Sequence, residues 1–419
     1  MIRKTSLTSL EITGIATGGD GVARADGLVV FTPRTAPGDH VVAEVSVEGR
    51  VGRGRLKIVE SAGAARVEPA CPHYEEPDRC GGCQLQHVTL DAQREAKRVM
   101  VRDAFQRIAR REVPLPEIHG GAPWRYRRAL TLAIRREESS GEGRVRAGLR
   151  AYDDPEAVFD LRTCLITDER IVDTWHAIVA AAEHLPAGDR LRGTVRWLDE
   201  HPLFVLEGGD EWPALQQFLA AVPTLAAIWW QAEGRRRRLV ADRRPSGTPG
   251  ASFAQVNEEV AAMVHADVIA RAMAHAPSSL VDGYSGAGAT AIAFAERGVR
   301  VVAVELDEEA TEYTAARLPE GSRAIAARVE DVLPRLLPAD VVVLNPPRAG
   351  LDERVTAALR TAEGKPAPRA IIYVSCDPAT LARDVSRLVG WRVHALTCYD
   401  MFPQTAHVET VCELRPEAA

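Results

Sequence analysis

The chain has 419 residues, 46% of them apolar and 26% charged, with a net charge of −6. That length calls for two or three domains, each large enough for its own core, and the composition is that of an ordinary globular protein. The start, Met1-Ile2-Arg3-Lys4-Thr5-Ser6, has no apolar run behind it, and no uninterrupted apolar stretch is long enough to span a bilayer. A cytoplasmic location without a membrane partner is therefore expected. Bulk charge does not announce a nucleic-acid binder, so distribution matters more than the sum. Basic residues cluster around Arg50–Lys57, at Arg125–Arg128 and at Arg235–Arg238. Taken alone, each run reads as a solvated face. The seven cysteines are an odd number, which argues against a disulfide framework.

In chain order, residues 1 to about 60 read as all-β. Leu10–Ile15 alternates, Gly18–Gly21 is a turn, Leu28–Phe31 is a short strand, Pro37–Asp39 is a second turn, and Val41–Val47 alternates again. Short strands with this punctuation predict a small barrel of a kind that often binds single-stranded nucleic acid. Gly-Asp-Gly-Val-Ala-Arg (19–24) and Pro-Gly-Asp (37–39) resemble the signatures of a TRAM domain, an RNA-binding barrel.

Cys71, Cys80 and Cys83 follow, the last two as a C-x2-C pair on a Gly-Gly turn. Three thiols so close can converge on one metal centre, and zinc and an iron–sulfur cluster both accept thiolates. A fourth ligand is needed. Cys164 is the free cysteine outside the last third of the chain, and His73 and His87 are rivals. From about 88 to 112 a period-3.6 stretch predicts a long amphipathic helix. Residues 125 to 240 mix strands (129–134, 193–198, 203–206, 226–230) with a helix near 168–184, an α+β central region. Pro245–Pro249 marks a boundary.

Beyond 250 strands and helices alternate, which predicts a doubly wound α/β domain. Strands are expected at 279–282, 299–304, 341–344, 370–374 and 408–414, with a helix at 289–297. The run Ala370–Val374 ends at Ser375-Cys376, and Asp377-Pro378 opens a helix. Cys376 thus sits on the edge where such sheets bind ligands, at a helix amino end that favours the thiolate. Gly286-x-Gly288 follows the first of these strands, and Glu305 ends the second. The third glycine of the dinucleotide fingerprint is missing, since Ala291 stands there. A glycine turn, a carboxylate placed for ribose hydroxyls and a later Asn345-Pro346-Pro347 fit S-adenosylmethionine better than a pyrophosphate cofactor.

With these pieces in order, residues 1 to about 415 resemble the RNA (uracil-5-)-methyltransferase family, in its TRAM-containing iron–sulfur 23S rRNA branch. The resemblance rests on Phe253–Asn257, Tyr284–Gly288, Asn345–Gly350, Tyr373–Asp384 and Asp400–Glu409. It implies a Rossmann-like class I methyltransferase domain at 249–419. Ahead of it would lie a TRAM/OB-like β-barrel at 1–62 and an α+β central domain at 63–248 carrying the cysteine cluster, with the long helix packed on the catalytic domain. It implies Cys376 as nucleophile and Glu409 as base. Gln255, Tyr284, Gly286, Gly288, Glu305 and Asn345 would bind S-adenosylmethionine, and Cys71, Cys80, Cys83 and Cys164 a 4Fe-4S cluster in preference to zinc. The implied partner is RNA, 23S rRNA ahead of tRNA, bound by a monomer.

The residue types suit that chemistry. Carbon 5 of uracil is a poor nucleophile until a thiolate adds at carbon 6. A carboxylate must then remove the carbon 5 proton. The sequence also departs from the family pattern. Asn345 stands where Asp is usual, Ala289 replaces an Asn of the glycine loop, Asp377 and Gln404 are substituted, and the first cysteine gap is long. These departures motivate two alternatives: a non-catalytic RNA-binding or assembly protein retaining the fold, and a methylase of another base or amide.

Overall fold

Alternating apolar residues, cut by Gly and Pro turns, set the first six strands. The computed structural model describes residues 5–136, 145–244, 255–360 and 366–417; the boundary at Pro245–Pro249 and motif residues Phe253 and Ala254 lie outside them. The strands are β1 (Thr5–Glu11), β2 (Gly14–Ile15), β3 (Gly21–Ala25), β4 (Leu28–Thr32), β5 (His40–Glu48) and β6 (Val51–Ser61). They form one sheet in the order β1-β5-β6-β4-β3-β2, antiparallel except where β4 meets β6. β6 places the Arg50–Lys57 run on a strand whose basic side chains face outward, in keeping with its reading as a solvated face. Gly52 and Gly54 point inward and Arg53, Arg55 and Lys57 outward, the period of a strand. A Cβ on Gly54 would lie 2.3 Å from Thr32 Oγ1, so close strand approach requires glycine there.

The chain continues through α1 (Leu90–Ala104), which widens into a π turn over Phe105–Ala109, and β7 (Glu117–Gly120). Then come β8 (Ala129–Arg136), β9 (Val145–Gly148), α2 (Glu169–Ala180), β10 (Arg190–Leu198), β11 (His201–Glu207), α3 (Leu215–Ala221), β12 (Ala227–Gln231) and β13 (Arg238–Asp242). Next are α4 (Glu258–Met273), β14 (Ser279–Gly283), α5 (Ala289–Ala295), β15 (Arg300–Glu305), α6 (Glu308–Ala315), β16 (Arg323–Ala326), α7 (Val329–Leu336) and β17 (Val341–Leu344). The last elements are α8 (Glu353–Ala358), β18 (Ala370–Ser375), α9 (Pro378–Arg387), β19 (Trp391–Asp400) and β20 (Glu409–Pro416).

Internal contacts divide the chain into two units, one of Met1–Gln93, Ala122–Ser246 and Pro403–Ala406, the other of Arg94–Gly121, Gly247–Phe402 and His407–Ala419. The first holds the β1–β6 sheet and a second sheet in the order β13-β12-β11-β10-β8-β9. Trp175, Phe204 and Phe218 fill the core beneath that second sheet, and the Trp175 indole donates to the Leu130 carbonyl at 3.1 Å.

The second unit is built on one sheet in the order β16-β15-β14-β17-β18-β20-β19-β7. β16 through β18 run parallel, and β20 lies antiparallel between β18 and β19. Apolar layers cover both faces. Ile371 and Tyr373 of β18 join Val101, Phe105 and Leu381 in one layer; Ile372 and Val374 join Val260, Val264 and Phe294 in the other. Burial on both faces explains the unbroken apolar run of β18, with each such side chain contributing about 1.5–3 kcal/mol. The expected closing strand is β20, but β19 and β7 carried no clear alternation and were not foreseen.

Candidate active site

β18 ends at Ser375 and α9 begins at Pro378, which leaves Cys376 on the turn between them, half-buried. The turn is fixed locally. Ser375 Oγ donates to the Asp377 carbonyl at 3.1 Å, and Asp377 caps α9 by accepting from the Thr380 amide at 2.8 Å. β20 pairs with β18 so that Thr410 faces Ser375. Glu409, the first residue of β20 and buried, therefore stands on the sheet edge beside Cys376.

The electrostatics of this edge differ from expectation. A helix amino end should favour the thiolate. Instead burial pushes the Cys376 thiol up, the negative charge of Glu409 adds to this, and the Arg348 guanidinium, hydrogen-bonded to the thiol, pulls the other way. Burial also pushes the Glu409 carboxyl up to about 8, again opposed by Arg348. A thiol, a cation and a carboxyl near neutrality thus share one edge, a set able to add sulfur to an electron-poor ring and to pass a proton.

Arg348 lies in the exposed loop after β17, and its Nη2 comes 3.4 Å from His407 Nε2. The loop is anchored by a carboxylate not foreseen from sequence. Buried Asp384 accepts from the Tyr373 hydroxyl at 2.8 Å and from the Leu351 amide at 2.7 Å, while Arg383 donates to the Ala349 carbonyl at 2.8 Å. Gly350 has φ +77°, and a Cβ there would meet Asp384 Oδ2 at 2.4 Å. The available signal was an acid on the apolar face of α9, between Leu381 and Val385.

The chain runs outward through β14, β15 and β16, then returns through β17 and β18, so the switch point lies between β14 and β17. The Asn345 amide donates to the Gly283 carbonyl at 3.2 Å across this point. Tyr284 (φ +62°), Gly286 (φ +54°) and Gly288 (φ +76°) form the turn into α5. Glu305 at the end of β15 accepts from the amides of Gly286 (2.9 Å), Leu306 (2.7 Å) and Asp307 (2.9 Å). A Cβ on Gly288 would lie 2.4 Å from Thr314, whereas one on Gly286 would enter open space. Asp282 Oδ2 is buried without a partner among the described residues, and burial together with Glu305 raises its carboxyl to about 7. Open space over Gly286 and an orphaned acceptor fit a polar ligand that brings hydroxyl or amino donors. Gln255 lies just ahead of α4, whose cap Asn257 donates from Nδ2 to the Met401 carbonyl at 3.1 Å. Tyr284, Gly286, Gly288, Glu305 and Asn345 thus fall on the carboxyl edge that carries Cys376 and Glu409, while Gln255 lies two residues ahead of the α4 cap.

Cys71, Cys80, Cys83 and Cys164 line one cavity of about 180 Å³ in the first unit. Burial raises Cys80 and Cys83 to about 12, and each is raised further by the neighbouring sulfurs. Of the rival ligands, His73 lines the cavity with both ring nitrogens occupied, whereas His87 is not among its lining residues and keeps a buried Nε2 without a partner among the described residues. His73 Nδ1 donates to Asp78 at 2.6 Å, while its Nε2 accepts from the amides of Arg162 and Thr163 at 3.1 and 3.3 Å. His87 Nδ1 meets the Tyr74 hydroxyl at 2.6 Å. Among the described residues no three His, Cys, Asp or Glu side chains are grouped so as to hold a single metal ion. No helix among them is long and apolar enough to cross a membrane.

Residues 309–415 match the family described as tRNA (uracil-5-)-methyltransferase. An RNA methyltransferase of Protochlamydia amoebophila, itself uncharacterised, is 28% identical over 440 residues, covering 97% of this chain and 96% of that one. A similarly described protein of Halalkalibacterium halodurans is 28% identical over 461 residues, covering 99% and 98%. The tRNA (uracil-54, C5)-methyltransferase of Pyrococcus abyssi, solved with S-adenosyl-L-homocysteine, shares the fold with a TM-score of 0.71 at 22% identity, covering 97% of this chain and 99% of that one. The chain thus carries a tRNA (uracil-5-)-methyltransferase family domain at residues 309–415, and relatives matched over nearly its whole length are described as RNA methyltransferases.

Proposed function

We propose that this enzyme forms 5-methyluridine in 23S rRNA in the cytoplasm, with Cys376 as nucleophile and Glu409 as general base. The observation that carries the reading is the gathering of Cys376, Arg348 and Glu409 at one sheet edge. Arg348 is the cation that draws the raised thiol toward the thiolate. The Cys376 sulfur then bonds to carbon 6 of a uracil, and the electron pair of the 5,6 double bond passes toward the ring carbonyl. S-adenosylmethionine supplies the electrophilic methyl group that carbon 5 takes. Glu409 removes the remaining carbon 5 proton, the double bond re-forms, and the carbon–sulfur bond breaks to return the thiolate. A carboxyl near 8 is a strong base for this step.

Tyr284, Gly286, Gly288, Glu305, Asn345 and Gln255 would hold the cofactor. Glu305 keeps acceptor capacity beyond its three amide bonds, and Asn345 supplies an amide where an acid is usual. The target uridine must leave any stack to reach Cys376, and the edge-to-face pair Phe402 and His407 (ring centroids 5.9 Å apart) next to Arg348 offers aromatic faces for it to stack on. The reading keeps three functional parts: an RNA-binding portion at 1–62, a central portion at 63–248, and the methyltransferase portion at 249–419.

The preference for rRNA rests on the TRAM-like signatures and the cysteine set. The name of the matched family favours tRNA as the second reading. Methyl-labelled cofactor and total RNA from a deletion strain separate the two. Label is expected at carbon 5 of a uridine in 23S rRNA. Label in tRNA alone would replace the substrate, and label on another atom would overturn the mechanism.

We also assign a 4Fe-4S cluster to Cys71, Cys80, Cys83 and Cys164. Four sulfurs around one cavity supply the thiolates that such a cluster takes. Anaerobically purified protein should carry about four irons and broad visible absorbance, and Cys164→Ser should lose both. Stoichiometric zinc without iron would reject the assignment.

A further inference from the structure

Lys97 of α1 and Asp400 at the end of β19 are both completely buried, with Nζ 2.5 Å from Oδ1. The same ammonium donates to the Phe402 carbonyl at 3.0 Å. Arg94 reaches the other Asp400 oxygen at 3.2 Å, and the intervening Met401 carbonyl accepts from Asn257 at 3.1 Å. Three consecutive residues leaving β19 are therefore each held by a named side chain. Further along the same connection Gln404 adopts φ +69°, and Gln93 bonds both its amide (2.9 Å) and its side-chain oxygen (3.0 Å). The connection ends at Glu409.

A buried ion pair is a poor way to gain stability, because desolvating two charges consumes what their attraction returns, and apolar replacements of both often do as well. Its attested use is to specify geometry. Here the geometry concerns a connection whose last residue must meet a proton on the bound uracil, where displacement by about 1 Å can cost a hundredfold in rate.

We propose that Lys97, through Asp400 and the Phe402 carbonyl, is a positioning residue that sets where Glu409 stands against carbon 5 of the substrate. The inference rests on the assignment of Glu409 as base. It predicts a selective defect. Addition by Cys376 and methylation proceed, while proton removal and release lag, so the enzyme accumulates as a covalent complex with RNA.

The test compares wild type, Glu409→Gln, Lys97→Met, Asp400→Asn and the double variant Lys97→Met/Asp400→Asn, with thermal melting, kcat, KM for RNA and the fraction of RNA bound through denaturing electrophoresis. Lys97→Met alone leaves a buried carboxylate short of charge and can fail to fold. The double variant removes both charges and should recover the melting temperature. Its kcat is nonetheless expected to stay about 10–100-fold low with KM within threefold, and its covalent fraction to rise well above wild type. Recovery of kcat to within threefold along with the melting temperature would reduce the pair to a structural role and overturn the inference. Glu409→Gln is the internal control. If it accumulates complex and the double variant does not, this inference alone fails. If Glu409→Gln turns over normally, the base assignment fails and takes the inference with it.

Discussion

Replacing Cys376 by Ala is expected to abolish methyl transfer, a loss of at least about a thousandfold, while the protein folds and binds RNA as before. The size follows from the chemistry. Without a covalent bond at carbon 6, no neighbouring group turns carbon 5 into an enolate carbon. Cys376→Ser should fare little better, because a hydroxyl is ionised far less readily than a thiol even with the Arg348 cation pulling at this position. The fold should tolerate both changes. The turn is pinned by Ser375 and Asp377 rather than by the sulfur, and a half-buried thiol gives up little packing. Methyl incorporation, RNA affinity and melting temperature measured on the same preparations separate the outcomes. Turnover within tenfold of wild type with unchanged product would refute nucleophilic catalysis by Cys376. A collapsed melting temperature would instead show that the residue is needed for folding.

The position of Cys376 was legible because β18 is a short β-branched run that stops at a helix-capping Asp-Pro pair, a purely local signal. Its proton affinity was not. The helix amino end is local too, but what moves the thiol arrives with the tertiary fold: burial first, then Glu409 across a strand pair and Arg348 from the loop after β17. The same division runs through the fold. The two-faced burial of β18 showed in its unbroken apolar residues. β6 was hidden because its inward positions are glycines, which a hydrophobic count passes over, so its outward arginines read as a charge run. β19 and β7 were hidden by polar residues near the far end of the sheet. Nothing in the sequence of the amphipathic helix sets Lys97 apart, because the acid that buries it lies in a distant strand. Asp384 and Arg348 both fell within motifs used for the family resemblance. Those motifs said that the residues recur together, whereas the hydrogen bonds of Asp384 to Tyr373 and Leu351 say why the loop bearing Arg348 holds its place.

Glu409→Gln carries the other large effect, on stability and turnover in opposite directions. Burial lifts this carboxyl from its ordinary value near 4.5 to about 8 in the folded protein. Between those values the folded state holds a proton that the unfolded state has released, so stability falls as pH rises through the window. Below pH 4.5 the group is neutral in both states and contributes nothing. Above pH 8 the folded protein bears a buried carboxylate, at an upper limit of about 5 kcal/mol for a shift of this size. Glutamine has the same shape and never ionises. The variant should therefore melt above wild type at pH 9, by several degrees if even half that limit applies, and the two curves should converge as pH falls toward 4.5. At pH 8 its turnover should drop by about 10²–10⁴, the contribution typical of a general base, with RNA trapped as the covalent adduct. A melting difference that does not change with pH would mean that the carboxyl is not raised in the folded protein. Normal turnover would mean that another group takes the carbon 5 proton. Should both effects appear, they would have one cause: the burial that makes Glu409 costly to ionise also keeps it basic enough to finish the reaction.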